Sequence, residues 1–154
     1  MIARAAALLL ASAVSAAAED FRTFDGHGGP VKAVSLTGEG GTLLTASFDN
    51  SVGVWAIEGE GAAHWLEGHE AAVNTVIPLP LGRAASGGDD FDVIVWDVLR
   101  AQPLLRLEGH TGKVMGLAAT RDGARLASAS WDGTVRVWDA ATGSHLVTLE
   151  YHQG

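Results

Sequence analysis

Residues 130–139 decide the fold of this chain and read Ser130-Trp131-Asp132-Gly133-Thr134-Val135-Arg136-Val137-Trp138-Asp139. Asp132-Gly133 predicts a two-residue hairpin turn, because aspartate and glycine tolerate the backbone conformation that such turns require. The alternating residues that follow, 134–138, predict a short strand. Further strands are predicted at residues 114–118, 125–129 and 145–149. Together these segments indicate a unit of four antiparallel strands.

The same unit occurs three times along the chain. A Gly-His pair opens each period, and an aspartate precedes a tryptophan by six residues further on. The pairs are Gly26-His27, Gly68-His69 and Gly109-His110, and the later residues are Asp49, Asp90, Asp132, Trp55, Trp96 and Trp138. A spacing of 41 or 42 residues between the histidines is typical of a repeat architecture, in which neighbouring units bury each other's apolar faces.

The combination of Gly-His with Ser-x-Asp-Gly-Thr-Val-x-Val-Trp-Asp resembles the WD-repeat β-propeller family over about residues 20–152. The third repeat is most similar to the family pattern, the second keeps Trp96-Asp97, and the first has Trp55-Ala56 instead. The resemblance implies an all-β fold of propeller blades of four antiparallel strands, with three blades present and the ring incomplete in this chain. The repeats span about residues 26–67, 68–108 and 109–150.

The resemblance also implies a hydrogen-bonded tetrad in each blade, made of a histidine, a serine or threonine, the turn aspartate and the strand tryptophan. The three sets are His27, Thr45, Asp49 and Trp55; His69, Ser86, Asp90 and Trp96; and His110, Ser128, Asp132 and Trp138. A buried imidazole needs partners for both of its nitrogens, and these side chains supply them. In isolation, His, Ser and Asp suggest a catalytic triad, but their repetition in phase with the blades indicates a structural role. We therefore predict no catalytic residue.

Partner binding is expected on the top face of the propeller, where the family commonly uses residues beside the start of the first strand and just before the turn aspartate. These positions are Pro30, Lys32 and Phe48; Ala72, Asn74 and Asp89; and Lys113, Met115 and Trp131. Phe48 and Trp131 stand out, because a large aromatic side chain beside an exposed turn can anchor a partner. The equal alternative is that each ring packs against the neighbouring blade.

The first 18 residues differ from the rest and predict a secretory signal peptide, residues 1–18. Arg4 is their only charge, residues 5–14 form an apolar run, and Ala16-Ala17-Ala18 offers small residues for cleavage after Ala16 or Ala18. A core helix or membrane anchor is the alternative, but the apolar run is too short to span about 30 Å of hydrocarbon. We therefore expect a secreted or periplasmic protein, residues 19–154, with no membrane span after removal of the signal.

Composition excludes several kinds of site. The formal charge is −8 and the ten Lys and Arg residues are scattered, which argues against binding of nucleic acid. The absence of cysteine excludes disulfides, thiolate metal sites and covalent haem attachment within this chain. His64 and His145 fall on predicted fourth strands and have no nearby ligand pair, so no metal site is predicted. No hydrolase, metalloprotease or phosphate-loop motif occurs, and we predict a non-enzyme without a cofactor.

The ends of the sequence suggest a ring that continues beyond it. Residues 151–154 read as the start of a fourth repeat, and residues 20–24 read as a strand that latches the last blade of a propeller. Since propellers typically have roughly four to eight blades, we expect a C-terminally truncated chain of a secreted bacterial type. Open blade edges make self-association possible, and a ring built from two such chains is the rival interpretation.

Three functions are weighed. The first is a secreted, non-catalytic scaffold that presents top-face loops to protein or peptide partners; it rests on fold-level resemblance. The alternative is the docking or regulatory propeller of a larger c-type cytochrome or other periplasmic redox protein, which a haem-attachment motif further along the gene would favour. A ligand-binding or enzymatic site in the central channel is disfavoured, since the first strands carry no paired carboxylates or clustered histidines.

Overall fold

The computed structural model describes residues 23–38, 40–59 and 61–150, which form twelve strands in three sheets. Blade 1 contains β1 (Val31–Leu36), β2 (Thr42–Ser47), β3 (Ser51–Ala56) and β4 (His64–Glu67). Blade 2 contains β5 (Val73–Leu79), β6 (Arg83–Gly88), β7 (Val93–Asp97) and β8 (Gln102–Leu107). Blade 3 contains β9 (Val114–Ala119), β10 (Arg125–Ser130), β11 (Thr134–Asp139) and β12 (His145–Glu150). No helix occurs among these residues, and the predicted all-β class is confirmed.

Each blade is a meander in which consecutive strands pair antiparallel and lie side by side. In blade 3, every strand ends one residue later than predicted, at Ala119, Ser130, Asp139 and Glu150. The prediction of four antiparallel strands in each repeat is therefore confirmed, and the short turns between strands explain why neighbours in sequence are also neighbours in the sheet.

The turn between β10 and β11 is one residue longer than the two-residue hairpin that Asp132-Gly133 predicts. It consists of Trp131, Asp132 and Gly133, and the Gly133 N–H donates to the Ser130 carbonyl at 3.2 Å. Gly133 has φ 82°, the left-handed conformation that closes a three-residue loop and that glycine adopts without strain. The additional residue is Trp131, which this geometry places at an exposed tip.

Strand β7 divides its side chains between two cores. Ile94 and Trp96 pack toward blade 1, whereas Val93 and Val95 pack toward blade 3, because successive side chains of a strand point to opposite faces. The core between blades 1 and 2 consists of Leu44, Ala46, Val52, Val54, Leu66, Val73, Val76, Ala84, Ile94 and Trp96. The core between blades 2 and 3 consists of Leu79, Ala85, Val93, Val95, Leu107, Val114, Leu126, Trp138 and Ala140. Blade 2 is thus covered on both faces.

The outer faces of blades 1 and 3 carry apolar side chains in contact with water. Leu149 pairs with Val135 as Leu107 pairs with Val93, yet Leu149 is 47% exposed and Leu107 only 2%. Val34 and Leu36 are exposed on blade 1. The difference between Leu149 and Leu107 is the presence of a following blade, and the self-association expected at these open faces stays a prediction.

Several sequence predictions lie outside the described residues. They are the signal peptide at residues 1–18, most of the latching strand at residues 20–24, and the start of a fourth repeat at residue 151. Of the latching segment, Thr23 and Phe24 are described and belong to no strand. The Phe24 ring lies edge-on to Trp55 with centroids 5.6 Å apart, so Phe24 packs against the tryptophan of blade 1.

Candidate functional site

The blade 1 tetrad residues are joined by one chain of hydrogen bonds. The Trp55 indole N–H donates to Thr45 Oγ1 at 2.8 Å, and the Thr45 hydroxyl lies 2.6 Å from His27 Nε2. His27 Nδ1 lies 2.7 Å from Asp49 Oδ2. The chain runs from the third strand of the blade, through the second, to the loop before the first, so it ties together three parts of the repeat.

Blades 2 and 3 repeat this chain with serine in place of threonine. The Trp96 indole N–H donates to Ser86 Oγ at 2.7 Å, Ser86 Oγ lies 2.7 Å from His69 Nε2, and His69 Nδ1 lies 2.7 Å from Asp90 Oδ2. The corresponding distances along Trp138, Ser128, His110 and Asp132 are 2.9, 2.7 and 2.7 Å. The structure therefore brings together all twelve residues that the family resemblance implied.

The direction of each hydrogen-bond chain follows from what its ends can do. An indole can only donate and an ionised carboxylate can only accept. With a neutral imidazole, the hydroxyl in the middle accepts from the indole and donates to Nε2, and the Nδ1–H donates to the carboxylate. Ser86 is fully buried and Ser128 is 1% exposed, so neither hydroxyl is open to a substrate. The arrangement supports loop positioning rather than nucleophilic attack.

The turn aspartates hold the loops through several donors. Asp49 accepts from the Gly28 N–H, the Ser51 N–H and the Ser51 hydroxyl as well as from His27. Burial raises the pKa of Asp49, but the hydrogen bonds from Ser51, His27 and the backbone outweigh it and hold that pKa well below its ordinary value. The same balance lowers the pKa of Asp132, where Thr134 and His110 are the main donors. Both carboxylates are therefore ionised at neutral pH.

Blade 2 departs from this plan beside its turn aspartate. Its equivalent of Ser51 and Thr134 is Asp92, so a second carboxylate stands where the other blades have a hydroxyl. Arg106 on β8 compensates: its guanidinium lies 2.5 Å from Asp92 Oδ2, 3.8 Å from Asp90 Oδ2, and donates to the Gly68 carbonyl at 2.5 Å. Burial raises the pKa of Asp90, but the hydrogen bonds from His69 and from the backbone N–H groups of Glu70 and Asp92 keep that pKa below its ordinary value.

The glycine before each tetrad histidine leaves room for a large side chain on the blade. A Cβ at Gly26 would lie 2.7 Å from the Trp65 ring, and a Cβ at Gly109 would lie 2.6 Å from the Arg136 guanidinium. Both glycines also have positive φ, 151° and 145°. Close approach and backbone conformation together explain why glycine precedes histidine in these two repeats.

Phe48 and Trp131 project from the end of the blades that the tetrad loops form, which is the top face. Their side chains are 46% and 70% exposed. Each ring has an ammonium group nearby, Lys32 Nζ at 5.3 Å from the Phe48 centroid and Lys113 Nζ at 5.4 Å from the Trp131 centroid, within cation–π range. Trp131 lies on blade 3, which has no following blade among the described residues, so the anchor and the packing interpretation both stay open as predictions.

Backbone hydrogen bonds fix the residue before each turn aspartate. The N–H groups of Phe48, Asp89 and Trp131 donate to the carbonyls of Pro30, Ala72 and Lys113 at 3.0, 2.8 and 2.9 Å. Six of the nine candidate partner-binding residues are therefore paired through their backbones. Pro30 and Lys32 are exposed, whereas Ala72 and Met115 are half-buried.

Asn74, Asp89 and Lys113 link blades 2 and 3. The Asn74 amide donates to Asp89 Oδ1 at 2.7 Å and to the Val114 carbonyl at 3.2 Å, and Lys113 forms an ion pair with Asp89. Burial raises the pKa of Asp89, but the hydrogen bonds from Asn74 and Lys113 lower it more. Since Asn74 is buried, its role in this structure is to join the two blades.

Sequence reasoning did not identify Asp92 and Arg106 or the hydroxyls of Ser51 and Thr134. One signal was present, because Ser51, Asp92 and Thr134 all stand two residues after a turn aspartate. Arg106 does not recur in the repeats, since the residue at the equivalent strand position is Trp65 in blade 1 and Thr148 in blade 3. His64, for which no metal role was predicted, lies with Nε2 2.9 Å from the Val98 carbonyl.

The part of the chain that the structure describes contains no group of three or more acidic or histidine side chains placed to hold a metal ion. The same residues include no helix of the length and apolarity that crossing a membrane requires.

The family model for the WD domain, G-beta repeat, matches residues 18–56, 62–97 and 101–139. These segments are offset from the blades, since residues 62–97 include β4 of blade 1 and β5, β6 and β7 of blade 2. Each matched segment after the first therefore supplies the outer strand of one blade and three strands of the next. Neighbouring blades are therefore joined covalently within one repeat of the sequence.

Curated relatives are similar to most of this chain. Protein HIR1 of Cryptococcus neoformans is 31% identical over 132 residues, which cover 86% of this chain and 12% of that protein. Human Transducin beta-like protein 2 is 33% identical over 126 residues, covering 73% of this chain and 27% of that protein. Rat Apoptotic protease-activating factor 1 is 29% identical over 127 residues, covering 82% and 10%. The chain thus spans a minor part of the length of the relatives it matches.

Proposed function

This chain belongs to the WD40 repeat family, whose members generally act as scaffolds for protein interactions, and on that premise we propose that it binds a protein or peptide partner through its top face. The proposed role is non-catalytic. The histidine, hydroxyl and carboxylate groups of the tetrads are engaged with one another, and burial of Ser86 and Ser128 removes the hydroxyls from contact with a substrate.

The observation that carries the proposal is the pair of exposed aromatic side chains, Phe48 and Trp131, on one end of the molecule. A rigid aromatic ring loses little conformational entropy on binding, and residues of this type are enriched among those that dominate binding energy. Blade 2 lies between them and presents Asp89, whose charge is neutralised by Lys113. Two apolar anchors on either side of a neutralised ion pair suit a partner that lies across all three blades.

The experiment is selection of short random peptides, displayed on phage, against the immobilised chain. Enriched peptides are synthesised and their affinities measured for the wild type, Phe48→Ala and Trp131→Ala. We expect affinity to fall about tenfold or more for at least one variant. Leu104→Ala is the matched control, because Leu104 is an apolar side chain of β8 with half of its surface exposed and lies away from the top face. The proposal is contradicted if every selected peptide binds both aromatic variants with unchanged affinity.

We also propose that the protein is exported from the cytoplasm, on the basis of the residue pattern at 1–18. The test is expression of the full chain with a C-terminal tag, followed by cell fractionation and mass measurement of the N-terminus. Export predicts a mature product that begins at Glu19 or Ala17. A product that starts at Met1 and stays in the cytoplasmic fraction excludes it.

A further inference from the structure

A second surface lies at the opposite end of the blades from the tetrad loops, and we refer to it as the bottom groove. It has a volume of about 840 Å³. It is lined by residues 77–83, which are the end of β5, the β5–β6 connection and the first residue of β6, and by neighbouring turns of all three blades. Cavities of roughly 300–1,000 Å³ are typical of ligand sites. The top-face proposal uses none of these residues.

Leu81 in this groove is unusual in both its exposure and its backbone conformation. Its side chain is 92% exposed, and its backbone has φ 63°, the left-handed region that costs a leucine roughly 1–2 kcal/mol. Gly82 follows with φ 67°, so this turn favours Asn-Gly or Gly-Gly in place of Leu-Gly. A strained and exposed apolar side chain such as this one does not contribute to the stability of the fold. Such outliers motivate a functional explanation.

The surroundings of Leu81 form a preorganised apolar rim. Leu99, in the β7–β8 turn, also lines the groove and is 87% exposed. Pro78 and Pro80 restrict the backbone of the connection on the other side of Leu81, because proline fixes φ. Because this loop is already restricted before binding, little conformational entropy is lost when a partner binds, and this favours binding.

The charge of the groove is opposite to that of the protein. Arg83 and Arg121 line it, and no carboxylate occurs among the described residues that do so, although the whole chain has a net charge of −8. Arg83 donates to the Pro80 and Ala140 carbonyls, and Arg121 makes no ion pair with any described residue. The apolar rim and the unneutralised guanidinium together select a ligand with an apolar body and a negative charge.

We propose that the bottom groove binds a short peptide segment of a partner protein, with an apolar side chain between Leu81 and Leu99 and an acidic side chain paired with Arg121. The site is separate from the top face, so the protein becomes a scaffold with two docking surfaces. It does not depend on the top-face proposal.

The test uses short random peptides displayed on phage and selected against the immobilised full chain. Selected peptides are then measured by fluorescence polarisation against the wild type, Leu81→Gly, Leu99→Ser and Arg121→Glu. We expect one class of peptides that combines Leu, Ile or Phe with Asp or Glu. This class should bind each of the three variants about tenfold more weakly or worse, and should bind Phe48→Ala and Trp131→Ala with wild-type affinity.

Leu81→Gly separates binding from folding. Glycine relieves the left-handed strain and removes little buried surface, so the melting temperature should stay the same or rise while peptide affinity falls. Leu104→Ala again serves as the control for loss of an exposed leucine. The bottom-groove proposal is overturned if no peptide is selected, if no selected peptide binds Leu81→Gly more weakly than the wild type, or if the peptides that do so are basic. A selection in which every peptide is sensitive only to Phe48→Ala or Trp131→Ala is one of these outcomes and supports the top-face proposal alone.

Discussion

Blades 2 and 3 contain the same His–Ser–Asp–Trp tetrad, but they stabilise the turn aspartate in different ways. In blade 3, the Thr134 hydroxyl donates to Asp132 at 2.7 Å, and all partners belong to one hairpin and its neighbouring loop. In blade 2, Asp92 replaces the hydroxyl, and Arg106 from the outer strand pairs with the additional charge. The four tetrad side chains have the same arrangement in both blades. A local hydrogen bond stabilises the turn aspartate in blade 3, and a longer-range ion pair takes its place in blade 2.

The two blades also differ in the residues that occupy left-handed turn positions. Blade 3 uses Gly133 and Gly143, whereas blade 2 has Phe91 and Ala101 at the corresponding turns, with φ 74° and 51°. Blade 2 packs against a neighbour on both faces and blade 3 on one. Packing in both cores holds the backbone of blade 2 in place. The stability from this packing offsets a backbone strain of roughly 1–2 kcal/mol at each of Phe91 and Ala101.

The largest effect is expected on acidification, because the turn aspartates of all three blades contribute. The pKa of Asp49, Asp90 and Asp132 is lower in the folded than in the unfolded chain, where it is about 3.9. A lowered pKa stabilises the fold at pH above about 4, and this stabilisation is lost as the pH falls from there through the folded-state values. We expect the free energy of unfolding in urea to fall steeply between about pH 4 and pH 2. An equal value at both ends of that range contradicts the role of the tetrads.

Removing one turn aspartate tests whether the blade 3 network depends on it more than the blade 2 network does. Asp132→Ala leaves the buried His110 without its acceptor and should cost roughly 1–3 kcal/mol, measured from the melting temperature and urea unfolding. Asp90→Ala should cost less, because it also relieves the repulsion between Asp90 and the neighbouring Asp89. An Asp132→Ala variant as stable as the wild type, or an Asp90→Ala variant that is less stable than Asp132→Ala, refutes this comparison.

Arg106→Ala tests the ion-pair solution of blade 2. It leaves two neighbouring carboxylates and the Gly68 carbonyl without their guanidinium partner, and we expect a loss of about 1–2 kcal/mol in the free energy of unfolding. Arg100→Ala is the control, because the exposed Arg100 pairs only with Asp97 at the surface, and stability should not change measurably. The double variant Asp92→Thr with Arg106→Thr copies blade 3 and should recover most of the loss; failure to recover any of it argues against interchangeability.

The smallest effect is expected from exchanging residues at the left-handed turn position. Phe91→Asn places in blade 2 the residue type found at Asn50 of blade 1, and stability should rise by about 0.5 kcal/mol. The reciprocal Asn50→Phe should lower stability by a similar or larger amount, since asparagine tolerates this conformation and phenylalanine does not. Thermal melting of both variants checks the pair. A change in the same direction for both shows that the turn backbone is not the cause.

Much of the architecture follows from local patterns that repeat. The strand positions of blade 3 were predicted to within one residue, and the four residue types of each tetrad recur at a spacing that a single sequence displays. The length of the Trp131–Gly133 turn was predicted wrongly, because the same Asp-Gly pair fits two-residue and three-residue loops and the register of the flanking strands decides between them.

The sequence by itself determined the period and the all-β class, because strand alternation, turn chemistry and the Gly-His spacing act over a few residues or recur in phase. The residues of the tetrads followed from the family resemblance that these motifs carry. Only the tertiary structure decided which groups meet between strands and blades that are distant in sequence: Arg106 with Asp92, Asn74 with the Val114 carbonyl, and Leu81 with Leu99 and Arg121 in one groove. Such contacts occur once rather than three times, and their geometry depends on how whole sheets pack against one another. Composition and periodicity therefore do not predict these contacts.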